Sequence, residues 1–290
     1  MNNILIYNIG QLVTPTGTAL IQGNQMNEIT FLNDAYIIIK DGKFDKIGTG
    51  NNYQESLANY NAIDAKKGLV TPGLIDSHTH LVHAGSREHE LAMKLNGADY
   101  LEILKSDGGI LNTVKKTRAA SFEELYDQAW HSLERMLCYG VTCVEAKSGY
   151  GLELETEIKQ LKVAKALNEN HPIEIVSTFM GAHAIPEEFR NNRNGFIEEI
   201  KKMLHEVMKH NLTKYCDIFC EEGVFSLQEA YHILSYAKNL GFALKIHADE
   251  MTHLGGGSLA AELKATSAEH LMNADEEDFK RMAENNILCI

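Results

Sequence analysis

Two histidines stand two residues apart in Leu74-Ile-Asp-Ser-His-Thr-His80, a short apolar run that follows Thr71-Pro72-Gly73. In a β-strand, residues i and i+2 point to the same face, so His78 and His80 can direct both rings at one point. A catalytic zinc usually takes three protein ligands and leaves one position for water. The motif therefore predicts half of a metal site, whose further ligands must come from distant strand ends.

From residue 69 onward, the sequence repeats a pattern of apolar strand, polar loop and amphipathic helix. Two of the helices open with capping boxes, Ser121-Phe-Glu-Glu124 and Ser226-Leu-Gln-Glu229, and are closed by Gly140 and Gly241. The alternation predicts a parallel sheet, and seven strands in series favour a (β/α)₈ barrel over a doubly wound sheet, which shares the alternation. The seven apolar runs are 74–75, 141–144, 173–179, 217–220, 243–246, 268–270 and 287–290.

Residues 1–68 carry strands and turns without a long helical pattern. Two apolar runs flank Asp41-Gly42, a dipeptide typical of tight β-hairpins. We therefore predict a small β-sandwich-like domain over residues 1–68 and the barrel over residues 69–290.

Composition excludes several classes of protein. The 290 residues are 44% hydrophobic and 23% charged, which is typical of a globular chain, and no apolar run approaches the length of a membrane span. The net charge of −13 argues against a nucleic-acid partner, because phosphate contacts need clustered basic residues. The first residues lack the basic and apolar regions of a secretory signal, so we expect a cytoplasmic protein that acts on a small molecule.

Ionisable residues recur where the predicted strands end, which in a barrel is the face that holds the chemistry. His247 is the natural third metal ligand. Glu250, three residues later, can reach a bound water or the substrate, and His270 can orient that water or stabilise developing charge. The polar strand ends are His78 to His80, Glu145 to Gly151, His183, Glu221 and Glu222, His247 to Glu250, and Glu269 and His270.

Two further patterns have ordinary explanations beside functional ones. Gly255-Gly-Gly-Ser258 precedes a short helix and can cradle an anion, although a flexible loop capped by Ser258 is the simpler interpretation. Cys216 and Cys220 are four residues apart in an apparent strand, and core packing is favoured over metal binding.

At this point the chain resembles the amidohydrolase superfamily, and within it the imidazolonepropionase family. The resemblance runs over essentially the whole chain, and its most specific segments are 145–152 and 246–257. The matching motifs are Pro72 to His80, Ala84-Gly-Ser-Arg87, Glu145 to Leu152, Phe179-Met-Gly-Ala-His183 and Ile246-His-Ala-Asp-Glu250.

The resemblance implies a metal-dependent opening of the cyclic amide of 4-imidazolone-5-propanoate to N-formimidoyl-L-glutamate in histidine degradation. It makes His78, His80 and His247 ligands of one Zn or Fe ion. It makes the residues Arg87, Tyr100, Tyr150, His183 and Glu250 contacts of the small anionic substrate, and the Arg87 guanidinium suits the substrate carboxylate.

The sequence departs from the family pattern at its end. It stops at Ile290 inside the seventh strand, whereas the family continues through an eighth strand with a metal-binding Asp. We therefore expect a barrel that lacks its last strand or strands, and a chain with little or no activity of its own.

Three alternatives stay open. The first is another mononuclear amidohydrolase, such as a cytosine or guanine deaminase, although Arg87 and segment 145–152 argue against this. The chain can also be an inactive metal-binding or oligomer-forming remnant. A binuclear member is disfavoured, because strand four ends in Cys-Glu-Glu and offers no Lys. The sequence does not distinguish Zn from Fe, and we allow for a homodimer because nothing in it fixes the oligomeric state.

Overall fold

The computed structural model describes residues 3–17, 21, 23–97 and 109–290. The chain divides into two compact units, Met1–Gly73 and Leu74–Ile290. Among the described residues, no helix is long and apolar enough to cross a membrane.

The first unit is built on one five-stranded sheet. Its strands are β1 (Ile4–Pro15), β2 (Ile29–Lys40), β3 (Lys43–Thr49), β4 (Asn61–Asp64) and β5 (Leu69–Val70). The order is β3-β2-β1-β4, with β5 also paired to β1, and the β1–β2 and β2–β3 pairs are antiparallel. Asp41 and Gly42 both have positive φ values in the turn between β2 and β3. The hairpin predicted from this dipeptide is therefore confirmed.

Alternate residues of β2 supply two small cores, because side chains of a strand alternate between faces. Tyr36 and Ile38 belong to one apolar cluster with Leu5, whereas Ile37 belongs to another with Leu12.

The second unit alternates strands and helices as predicted. Its strands are β6 (Leu74–Thr79), β7 (Val141–Lys147), β8 (Glu174–Ala182), β9 (Tyr215–Cys220), β10 (Ala243–Ala248), β11 (Ser267–His270) and β12 (Leu288–Cys289). The described α-helices are α1 (Glu88–Leu95), α2 (Gly109–Ala119), α3 (Phe122–Cys138), α4 (Leu154–Asn170), α5 (Arg193–Lys209), α6 (Leu227–Asn239), α7 (Gly256–Leu263) and α8 (Glu276–Glu284).

The seven parallel strands lie in chain order from β6 to β12. A doubly wound sheet would reverse its order partway, so the barrel prediction is confirmed and that alternative is wrong. Neighbouring strands are about 4.8 Å apart, so β6 and β10 would be roughly 19 Å apart in a flat sheet. The rings of His78 and His247, on these two strands, have centroids only 4.7 Å apart. The sheet is therefore strongly curled, although β6 and β12 do not pair with each other in the described chain.

Local signals placed the helices correctly. The capping boxes of Ser121 with Glu124 and of Ser226 with Glu229 both form, and they start α3 and α6. The core beneath the helices is apolar and continuous; Phe196 of α5, for example, is fully buried in one cluster with Phe179 of β8. Cys216 and Cys220 are buried in the same cluster, as predicted.

Candidate functional site

The two histidines of the opening motif lie at the carboxyl end of β6. His78 is within the strand and His80 follows its last residue, Thr79. Their ring centroids are 5.7 Å apart, with an interplanar angle of 62°. This end of the strands is where the site residues of a barrel are expected.

His247 and His270 approach His78 from β10 and β11. The ring of His78 is 4.7 Å from that of His247 and 4.9 Å from that of His270, and the latter two are 5.0 Å apart. One ring nitrogen of each lies within 4.8 Å of the others, and we call His78, His247 and His270 the histidine group. His247 Nε2 is buried without a hydrogen-bond partner among the described residues, which costs free energy unless a ligand takes it up. Three imidazoles are a donor set of zinc and iron sites, so these residues fit a divalent metal ion.

Two buried carboxylates hold these histidines from behind. His78 Nδ1 donates to Glu269 Oε2 at 2.9 Å, and His247 Nδ1 donates to Asp217 Oδ1 at 3.1 Å. Because an ionised carboxylate only accepts, each Nδ1 carries the proton and each Nε2 keeps its lone pair. Burial acts to raise the pKa of Asp217, but His247 and Lys147 outweigh it and hold that pKa well below its usual range. The sequence did not single out Asp217, because a mid-strand charge gives no sign of which face it occupies.

His80 lies against His183 and is not a member of the histidine group. The two rings are stacked at 4.6 Å with an interplanar angle of 8°. Burial, followed by the charges of His183 and His247, lowers the pKa of His80 well below its usual value, and its buried Nδ1 has no partner in the described structure. The ligand set expected from the resemblance includes His80, whereas the nitrogens that lie within 4.8 Å of one another belong to His78, His247 and His270.

Tyr150 and His183 form the neighbouring wall. The Tyr150 ring is 5.3 Å from the rings of both His80 and His183. His183 Nδ1 donates to the Gly149 carbonyl at 3.0 Å, and burial and then the charge of His247 lower the pKa of His183 to about 3. His183 is thus neutral near pH 7, with Nε2 available as an acceptor. Gly149 has a φ of +109°, and a Cβ there would lie 2.8 Å from His183 Nδ1, so this contact requires glycine.

A buried carboxylate from α4 organises the loop that carries Tyr150. Glu157 Oε1 accepts hydrogen bonds from the amides of Gly151 at 2.8 Å and Leu152 at 2.9 Å. Its Oε2 accepts one from Gly149 at 3.1 Å. Burial raises the pKa of Glu157, with the hydrogen bonds from the loop acting in the opposite direction. The sequence did not reveal this role, since no local motif links Glu157 to the loop.

Arg87 is already paired within the protein. Its Nε donates to Glu90 Oε1 at 2.9 Å and its Nη2 to Glu90 Oε2 at 2.8 Å, and Glu90 also accepts from the Gly109 amide at 2.7 Å. Glu90 is nearly fully buried, and only its spacing of three residues from Arg87 hints at the pair. Tyr100, the weaker substrate candidate, lies outside the described residues.

Glu250 and His270 lie next to each other at the edge of the histidine group. His270 Nε2 is 3.5 Å from Glu250 Oε2. Burial, then the charges of His247 and His78, lower the pKa of His270 to about 4. The neutral imidazole can therefore accept or donate a hydrogen bond beside a carboxylate near pH 7.

The glycine run after β10 does surround an anion, but the anion is a side chain of the same loop. Asp249 Oδ1 accepts from the amides of Leu254, Gly255 and Gly256, and its Oδ2 accepts from Gly257 at 2.9 Å. Gly255 is the N-cap of α7, and Ser258 lies inside the helix and donates to Asp278 instead. The expected Ser258 cap is therefore wrong, because Asp249 satisfies the amides that a cap would serve.

A sequence profile of the amidohydrolase family matches residues 69–289. The chain is 51% identical over 289 residues to an imidazolonepropionase from Fusobacterium nucleatum subsp. nucleatum, which covers 99% of this chain and 70% of that protein. It is 51% identical over 292 residues to an imidazolonepropionase from Alkaliphilus oremlandii, covering 99% of this chain and 69% of that protein.

Solved structures agree on the fold. An Escherichia coli guanine deaminase superposes with a TM-score of 0.66 at 13% identity, over all of this chain and 66% of that one. A Xaa-Pro dipeptidase gives a TM-score of 0.65 at 17% identity, over 99% of this chain and 66% of that one. The family profile and the relatives that are 51% identical show that the chain belongs to the amidohydrolase family, in the group of the imidazolonepropionases.

Proposed function

We propose that the site of this chain serves the hydrolysis of the cyclic amide of 4-imidazolone-5-propanoate to N-formimidoyl-L-glutamate, with one Zn or Fe ion held by His78, His80 and His247. One observation carries the proposal: the rings of His78 and His80 lie 4.7 Å and 5.7 Å from that of His247, in a chain that is half identical to relatives named imidazolonepropionase. The imidazole nitrogens suit either metal.

We assign His78, His80 and His247 as the metal ligands. His78 and His247 keep Nε2 for the ion because Glu269 and Asp217 accept from Nδ1. His80 supplies the third imidazole and has a buried nitrogen without a partner among the described residues. When bound, the ion would supply the Lewis acidity that activates a water molecule at neutral pH.

We assign proton handling to Glu250 and His270. In the reaction, the water oxygen adds to the ring carbonyl carbon, the carbon–nitrogen bond breaks, and the ring nitrogen takes up a proton. A carboxylate beside the site can accept the proton of the water and return it to the leaving nitrogen. His270, neutral because its pKa is near 4, can orient the water through the nitrogen that lies 3.5 Å from Glu250.

We assign substrate binding to Arg87, Tyr150 and His183, with Tyr100 as a further candidate. Glu90 fixes the plane of the Arg87 guanidinium, so less conformational entropy is lost when a substrate carboxylate pairs with it. His183 Nε2, which lacks a proton, can accept from an N–H group of the imidazolone ring.

The test combines metal analysis with an assay of imidazolonepropionate consumption. Both are measured on this chain and on a chain extended by the remaining part of the Fusobacterium relative. We expect one Zn or Fe ion per chain and ring opening in the extended form, both lost in His247→Ala. His131→Ala removes an exposed histidine of α3 and is expected to change neither.

A different result would overturn the specific assignment. If the extended chain bound metal, left imidazolonepropionate intact and deaminated guanine or cytosine, the chain would be a deaminase of the same family.

A further inference from the structure

A fully buried lysine lies beneath the histidine group. Lys147 ends β7, and its side chain is not exposed to solvent. Its Nζ is 2.9 Å from Glu145 Oε2, 2.9 Å from Asp217 Oδ2 and 3.5 Å from Glu269 Oε1. A buried ammonium is costly unless it is paired, so these carboxylates account for its presence there.

Asp217 connects Lys147 to His247 through hydrogen bonds. Lys147 Nζ donates to Asp217 Oδ2 at 2.9 Å, and Asp217 in turn accepts from His247 Nδ1 at 3.1 Å. All three side chains are buried. Burial opposes the charged form of Lys147, but Asp217 and then Glu145 outweigh it and raise the pKa of the lysine above its usual value.

Glu269, the other carboxylate behind the histidines, has polar partners besides Lys147. Glu269, which holds His78, accepts from Ser267 Oγ at 2.8 Å and lies 3.5 Å from Lys245 Nζ. Asp217 accepts from the Ile218 amide through Oδ1 at 2.8 Å, and Lys147 is the only lysine within ion-pair distance of it among the described residues. The Ile218 amide therefore holds Oδ1, and Lys147 holds Oδ2.

We propose that Lys147 is a positioning residue of the metal site, which acts through Asp217 to hold His247 with Nε2 turned toward the ion. The inference rests on the metal site proposed above. The physical reason is that the buried Asp217 has no solvent to stabilise its charge, and Lys147 supplies the cation that holds Oδ2 while the carboxylate accepts from the imidazole. Groups that support metal ligands in this way typically change metal affinity by about 10- to 100-fold when they are altered.

The experiment measures Zn²⁺ affinity by competition with a chromophoric chelator, so it does not depend on turnover. Lys147→Met is expected to weaken Zn²⁺ binding by about 10-fold, and Asp217→Asn by about 10- to 100-fold. In the double variant, the affinity should match that of Asp217→Asn within about twofold, because the lysine acts through the residue already changed.

Arg193→Met is the matched control. It breaks an ion pair with Glu229, whose two bonds are both 2.7 Å, at a place remote in the chain from the three candidate ligands. It should lower stability without changing the Zn²⁺ affinity.

Two results would overturn the inference. The first is that Lys147→Met binds Zn²⁺ as tightly as the unaltered chain. The second is that the double variant loses Zn²⁺ affinity by the full product of the losses in the two single variants. If Lys147→Met does not fold, the double variant, which removes a cation and an anion together, is compared with Asp217→Asn alone: equal affinity supports the inference and a further tenfold loss contradicts it. An unaltered chain that binds no Zn²⁺ would remove the metal site itself, and this inference with it.

Discussion

Glu157→Gln is the substitution that best tests how the loop carrying Tyr150 is held. The carboxylate of Glu157 accepts from three backbone amides, of which Gly151 and Leu152 meet Oε1 and Gly149 meets Oε2. Glutamine has the same shape but turns one acceptor oxygen into a donor. At least one of the buried amides must then lose its partner.

The magnitude follows from which oxygen is replaced. The better orientation keeps the oxygen at the Oε1 position and leaves the Gly149 amide unsatisfied, which costs about 1–3 kcal/mol. The two remaining bonds lose their charge assistance, but removal of a buried charge offsets part of this loss, since burial raises the pKa of Glu157. We expect a net decrease of about 2 kcal/mol in the free energy of unfolding, of the size of one unsatisfied buried group.

Two measurements check this expectation. Urea unfolding gives the global loss, and hydrogen exchange gives the local one, since about 1.4 kcal/mol corresponds to a tenfold faster exchange of the Gly149 amide. Glu155→Gln, at an exposed position of the same helix turn, is the control and should stay within about 0.5 kcal/mol of the unaltered chain. Unchanged stability together with unchanged exchange of the Gly149 amide would refute the reasoning.

Two other perturbations have defined outcomes. Asp249→Asn keeps a residue type that tolerates the positive φ of +51° but replaces Oδ2, so the Gly257 amide loses its hydrogen-bond partner. Urea unfolding should show a decrease of about 1–3 kcal/mol in the free energy of unfolding. An unaltered unfolding midpoint would contradict this role of Asp249. The hydrogen bonds from Arg193 lower the pKa of Glu229 to about 2 from 4.5, so the pair stabilises the fold above pH 4.5 and loses that contribution as the pH falls toward 2. The stability difference between the unaltered chain and Glu229→Gln should therefore shrink over this range, measured by urea unfolding at a series of pH values; a constant difference would show that the pair is not responsible.

Local patterns predicted much of the fold. The Asp41-Gly42 turn, the capping boxes at Ser121 and Ser226 and the seven apolar runs all correspond to elements of the structure. These signals depend on residues within a few positions of each other, and the hydrogen bonds that they predict are equally local. The box of Asp275 with Asp278 at the start of α8 does not follow the usual sequence pattern, because Asp replaces the usual Ser and Glu.

The sequence by itself determined the order of strands and helices and the polar residues at the strand ends, because both are encoded in short-range patterning. Only the tertiary structure decided which of those residues meet. The curl of the sheet brings His270 to His78, 192 positions earlier in the chain, and Asp217 behind His247. Such contacts depend on register and curvature summed over several strands, and no spacing within the sequence records that sum.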